Sequence, residues 1–169
     1  MTLFNKLWTF NETIGTITIG EKFIEFRDQM KNKFNGGDRS DMERTIDADC
    51  LIIEYEMITR CLVNAPPNNE IRYDFSLDEY RVDVKVIASD YFNIPSNKLE
   101  WYKNNVVSGS LTHFAFYKFS NKMTRPFMIG DVSSFILLEV KDARETLKSL
   151  SRSNTEGYYY RIQPNCTQS

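Results

Sequence analysis

The stretch "YRVDVKVI", Tyr80 to Ile87, decides how the chain is read. Its residues alternate. Tyr80, Val82, Val84 and Val86 fall on one side of an extended strand, and Arg81, Asp83, Lys85 and Ile87 on the other. Asp83 and Lys85 therefore stand side by side on one face of a strand otherwise built for burial. Charge in that position needs a partner or a function, because an isolated buried ion is costly.

The stretch before it, "IRYDF" (Ile71–Phe75), reads as a second strand with Arg72 and Asp74 on one face. If the two form a hairpin, two registers compete. A four-residue loop, Ser76–Glu79, would set Asp74 against Arg81 and Arg72 against Asp83, which are ordinary cross-strand ion pairs. A slip along the same face brings Asp74 beside Asp83 instead. Two carboxylates that close repel unless a cation sits between them. Mg²⁺ takes oxygen ligands and commonly only one or two protein carboxylates. Lys85, one pleat along, would steady an attacking water or the charge building on a phosphate. The group suits metal-assisted phosphodiester hydrolysis.

Working outward, "SDME" (Ser40–Glu43) has the form of a capping box, and a helix is expected from there to about Val63. Its apolar stripe is Met42, Ile46, Cys50, Ile53 and Met57. Further expectations are a strand at Thr13–Ile19, a helix at Glu21–Phe34, a helix at Ser96–Val106 and a strand at Leu111–Phe119. Phe127–Gly130 is a weaker strand, and Ser134–Val140 reads as strand or helix. A helix at Asp142–Leu150, with Asp142 as its N-cap, and a strand at Gly157–Ile162 complete the pattern. Strands mixed with flanking helices predict an α/β domain with a central mixed β-sheet. One domain over 1–169 suits the length, with 1–39 as an extension of the core and 163–169 as a frayed tail.

Charge is distributed unevenly. The net charge is only −2, which is no footprint for nucleic acid. Yet residues 41–56 hold six acids and one base, and residues 98–125 hold five bases and one acid. An acidic spot could take a cation and a basic strip a phosphate chain. Lys98, Lys103, Asn104, Lys118, Lys122 and Arg125 are the strip's candidates for DNA contact, with Trp101 and Tyr102 near for stacking. A solvated helix face accounts for the lysines equally well.

Other chemistries are disfavoured. "NGGD" lacks the P-loop lysine and spacing, so no nucleotide cofactor is expected. Three cysteines and one histidine show no zinc spacing, and reduced thiols suit a cytoplasmic protein. His113, amid apolar residues, reads as a hydrogen-bonded structural histidine rather than a catalytic one. No stretch has the length and hydropathy of a membrane span or a signal peptide.

An acidic helix, then Asp74, then Asp83-x-Lys85 resembles the PD-(D/E)xK superfamily, whose fold is restriction-endonuclease-like. Asp74 matches the first motif position, Asp83 the second and Lys85 the third; Tyr73 stands where the family usually has proline. The likeness covers about residues 40–120. It implies a Mg²⁺-dependent DNA endonuclease, with Mn²⁺ substituting, and a homodimer. It also implies a glutamate from the preceding helix, for which Glu54 and Glu43 are the candidates. Glu54 is preferred, since the capping box already occupies Glu43. A second triplet, Glu139–Val140–Lys141 with Asp131 upstream, forms an alternative site. The rival reading is a non-catalytic α/β binding module in which the triplet is salt-bridged structure.

Overall fold

The computed structural model describes residues 3, 5, 27, 29–32, 40–61, 73–119, 135–153 and 157–163 of the chain. The expected strands at Thr13–Ile19 and Phe127–Gly130 lie outside these residues, as do Asp131, Lys122 and Arg125. Of the expected helix at 21–34, residues 27 and 29–32 are described, and they are helical.

In chain order the elements are α1 (Asp41–Cys61), β1 (Phe75–Leu77), β2 (Tyr80–Ile87), β3 (Tyr91–Pro95) and α2 (Ser96–Val107). Then come β4 (His113–Phe119), β5 (Phe135–Asp142), α3 (Ala143–Lys148), β6 (Ser151–Arg152) and β7 (Gly157–Arg161). Among the described residues the strands form two sheets, ordered β1-β2-β4-β5 and β3-β7-β6. The first is mixed: β2 runs antiparallel to β1 and parallel to β4, and β4 runs antiparallel to β5. The architecture is α/β with a mixed sheet flanked by helices. The second sheet is not what a single central sheet predicts. It arises because β3 pairs with β7, some sixty residues on, a partnership no local pattern announces.

The termini of the helices follow local chemistry. At the start of α1 the capping box is complete: Glu43 N–H donates to Ser40 Oγ at 3.2 Å, and Ser40 N–H to Glu43 Oε2 at 2.8 Å. Such caps contribute about 1 kcal/mol. Asp142 caps α3 by accepting from the Glu145 N–H at 3.1 Å. Gly109, at φ 75, turns the chain out of α2 in a conformation side chains rarely adopt.

β2 is covered on both faces. Val82, Val84 and Val86 are buried on one, and α1, with Ala48, Ile52 and Ile53 buried, packs against this strand. On the other face lies an aromatic core of Phe92 from β3, Tyr102 from α2, Phe114 and Phe116 from β4, and Tyr160 from β7. Asp83 and Lys85 sit on this aromatic side, level with Phe114 and Phe116. Burying a large side chain of this kind stabilises by roughly 1.5–3 kcal/mol. Among the described residues no helix is long and apolar enough to cross a membrane.

Candidate functional site

The hairpin between β1 and β2 turns on two residues, Asp78 and Glu79, rather than four. Asp78 makes this possible by taking the left-handed region at φ 53, which aspartate tolerates better than most residues. Leu77 then pairs with Tyr80, Ser76 with Arg81 and Phe75 with Val82. Carried one residue further, this register sets Asp74 opposite Asp83, and the Asp74 N–H donates to the Val82 carbonyl at 2.8 Å. Arg81 does not meet Asp74. Its guanidinium donates to the Gly109 carbonyl at 2.5 Å. Of the expected strand at 71–75, Ile71 and Arg72 lie outside the described residues; β1 begins at Phe75, and Asp74 lies just before it.

Because β1 is so short, β2 runs on beyond its partner, and its amides there need acceptors. Two carboxylates supply them. Asp74 Oδ2 accepts from the Val84 N–H at 2.5 Å, and Glu54 Oε2 accepts from the Val86 N–H at 3.0 Å. Among the described residues no hydrogen bond reaches the second oxygen of either. Glu54, mid-way along α1, arrives here because that helix packs on β2. Glu43 remains exposed at the helix start, three turns or ~16 Å away along the axis, in its capping role. Of the two helix glutamates, Glu54 alone joins the aspartates.

Lys85 completes the group. Its Nζ lies 2.9 Å from Asp83 Oδ1, with Asp83 itself buried. The same ammonium stands over two rings, 5.8 Å from the centroid of Phe92 and 5.7 Å from that of Tyr102. The electrostatics show how tightly the charges are coupled. Burial pushes the Asp74 carboxyl up to about 8, and Asp83 and Glu54 add to the rise against Lys85 and the Val84 N–H. Burial pushes Glu54 up to about 7; Asp83 adds to this, while Lys85, the Val86 N–H and Lys98 oppose it. Burial disfavours the charge on Lys85, yet Asp83, Tyr102, Glu54 and Asp74 outweigh it and hold the ammonium firmly protonated. Lys85 is therefore a fixed cation, not a base. Burial also raises the Tyr102 phenol to about 12.

Among the described residues no group of three or more His, Cys, Asp or Glu side chains is placed to hold a metal ion. A divalent ion here would rest on fewer protein ligands. Asp74 and Asp83 fit that requirement: they lie opposite each other across the hairpin, Asp83 raises the Asp74 carboxyl, and among the described residues no hydrogen bond reaches the second Asp74 oxygen.

The alternative triplet is built differently. Glu139 is buried, and both its oxygens accept from the Tyr160 hydroxyl at 2.9 Å, with the Gln163 N–H at 3.4 Å. Lys141 pairs with Glu145 Oε2 at 3.2 Å. Asp131 lies outside the described residues.

The acidity of α1 resolves into separate uses. Asp49 is fully buried and held by Arg27 through Nε and Nη2, at 3.1 and 2.5 Å. Asp41 pairs with Lys31 and Arg44. The basic strip disperses likewise. Lys103 meets Glu100 at 3.7 Å and Lys118 meets Asp90 at 3.1 Å, while Lys98 and Asn104 are exposed on α2. Sequence reasoning missed that Lys103 joins Arg144 and Lys148 of α3 around a groove of about 240 Å³ floored by Val106, Val107 and Leu147. Tyr102, read from the sequence as a base-stacking or a core aromatic, is buried in the core and stands beside Lys85. His113 is half-buried; its Nδ1 lies 3.1 Å from Thr112 Oγ1, and its ring meets Tyr80 edge to face.

No protein-family model, no curated protein and no solved structure matches this chain.

Proposed function

We propose that the chain is a divalent-metal-dependent nuclease that hydrolyses DNA phosphodiester bonds, with a restriction-endonuclease-like arrangement of site residues. One observation carries this reading: Glu54, Asp74, Asp83 and Lys85 converge along β2 where, among the described residues, it runs beyond its pairing with β1. Three mutually repelling carboxyls beside one fixed ammonium are poor structural economy but a usable ion and phosphate site. Asp74 and Asp83 would hold Mg²⁺ or Mn²⁺, with Glu54 beside them. When bound, the ion supplies Lewis acidity toward the phosphate and a more acidic water. Lys85 contributes a permanent positive charge to the phosphoryl oxygens and orients the attacking water. Glu54, with its carboxyl raised to about 7, is placed to accept that water's proton near neutral pH. Lys98 and Asn104, exposed on α2, would track the DNA backbone. A homodimer would place two sites on two strands.

The test is incubation of supercoiled plasmid with the full chain and Mg²⁺ or Mn²⁺. Wild type should nick or linearise it, and Asp83→Ala should lose at least roughly 100-fold in rate. The second reading, a non-catalytic binding module, is favoured by the Asp83–Lys85 ion pair and by the amide-capping roles of Asp74 and Glu54. It prevails if wild type cuts no duplex, single-stranded or branched DNA and no RNA with either ion.

A further inference from the structure

We infer that Tyr102, together with Phe92, is a positioning residue for Lys85: the two rings hold the ammonium against Asp83 and aim it at the carboxylates. What Lys85 does there rests on the hydrolytic reading above; how it is held does not. A lysine side chain is a flexible four-carbon stem and roams unless its end is confined. Here Nζ lies 5.7 Å from the Tyr102 centroid and 5.8 Å from that of Phe92. Both fall within the ~6 Å reach of cation–π attraction. Asp83 Oδ1 closes a third side at 2.9 Å.

The rings are themselves immobilised. Phe92 and Tyr102 meet edge to face at 6.1 Å, and Phe114 packs against both, at 5.3 and 5.6 Å. Trp101 flanks Tyr102 at 5.0 Å. Tyr102 belongs to α2 and Phe92 to β3, whereas Lys85 belongs to β2. The helix and the second sheet therefore reach over the first sheet to fix one of its side chains. That gives the aromatic core a role beyond packing: it sets where Lys85 can point.

The experiment pairs kinetics with a direct view of Lys85. On plasmid DNA with Mn²⁺ or Mg²⁺, Tyr102→Leu should lower kcat roughly 10- to 100-fold with KM nearly unchanged, since misplacing one group costs that much. Tyr102→Phe, which keeps the ring but loses the hydroxyl that hydrogen-bonds Lys85, should recover part of the lost turnover, to within about tenfold of wild type. In the Lys85→Ala background, Tyr102→Leu should cost nothing further, because it acts only through Lys85. Fully additive losses, or wild-type turnover in Tyr102→Leu, would overturn the inference. Independently, ring currents should shift the Lys85 ε-methylene NMR resonance upfield, with its assignment fixed by its loss in Lys85→Ala. Tyr102→Leu should return it downfield, and Phe92→Leu should do the same should the first variant fail to fold. A resonance unmoved by either change refutes the positioning. A wild type that cuts nothing, yet shows the shifted resonance, removes the nuclease reading and leaves the placement of Lys85 standing.

Discussion

Two acid-x-Lys triplets lie on the same face of the same sheet, with β4 between them. Asp83 is level with Phe114 and Lys141, and Lys85 with Phe116 and Glu139. Because β5 runs antiparallel to β4, each acid lies level with the other triplet's lysine. Nothing within either triplet tells them apart. Their neighbours do. Asp83 and Lys85 lie on a strand whose partner stops early, so carboxylates from α1 and from the chain before β1 fill the gap. Glu139 and Lys141 lie beside β7 and α3, which bring a tyrosine hydroxyl and a single glutamate. The first triplet is left with two extra carboxyls whose ionisation the site opposes, the second with a partner for its acid and another for its lysine. Chemistry follows from what a motif lacks, not from its letters.

This contrast can be broken most directly by removing each lysine. Lys85→Ala leaves Asp83 buried without its cation and should destabilise by roughly 2–4 kcal/mol in urea unfolding. Lys141→Ala removes one partner of a partly exposed pair and should stay within about 0.5 kcal/mol. Equal costs would erase the distinction between the two sites.

The surplus of carboxyls sharpens the same contrast through pH. Asp74 rises from an ordinary 3.8 to about 8 in the fold. Its protonated form is the one the fold favours, so its contribution is complete below pH 4 and is lost as pH climbs through about 8. Glu54 adds a similar loss as pH climbs through about 7. In metal-free buffer, Asp74→Asn should therefore match wild type near pH 4 and exceed it by roughly 1–2 kcal/mol at pH 8.5. Unfolding curves at both pH values check this, and a variant less stable at pH 8.5 would contradict the surplus of carboxyls.

The smallest effect separates the two helix glutamates. Glu43→Ala should cost only about 0.5–1 kcal/mol in thermal unfolding and leave any DNA cleavage intact. Glu54→Gln should abolish most cleavage instead. A loss of cleavage in Glu43→Ala would reverse that assignment.

Much of this was legible in the chain. The capping box at Ser40–Glu43, the Asp142 cap and the alternation of β2 are local signals, and each holds in the structure. The convergence of Asp74, Asp83 and Lys85 was also readable as one of two registers. What decided between them was Asp78, whose left-handed backbone shortens the turn, and no glycine marked that position. β3 escaped notice although Phe92 and Ile94 alternate with exposed Tyr91, Asn93 and Pro95, because its pairing partner is distant in the chain. The role of Tyr102 was equally hidden: its spacing on α2 speaks only of a buried face. Register and ring placement are tertiary facts, set by packing between segments far apart.

The carboxylates on the far stretch of β2 have one more consequence. A strand with bare amides along its rim is a template onto which a strand from another molecule can add, the usual beginning of fibrils. Here Asp74 and Glu54 already accept from the Val84 and Val86 amides, so those two donors are closed to an intruding backbone. The groups that would make this edge reactive also guard it against self-association.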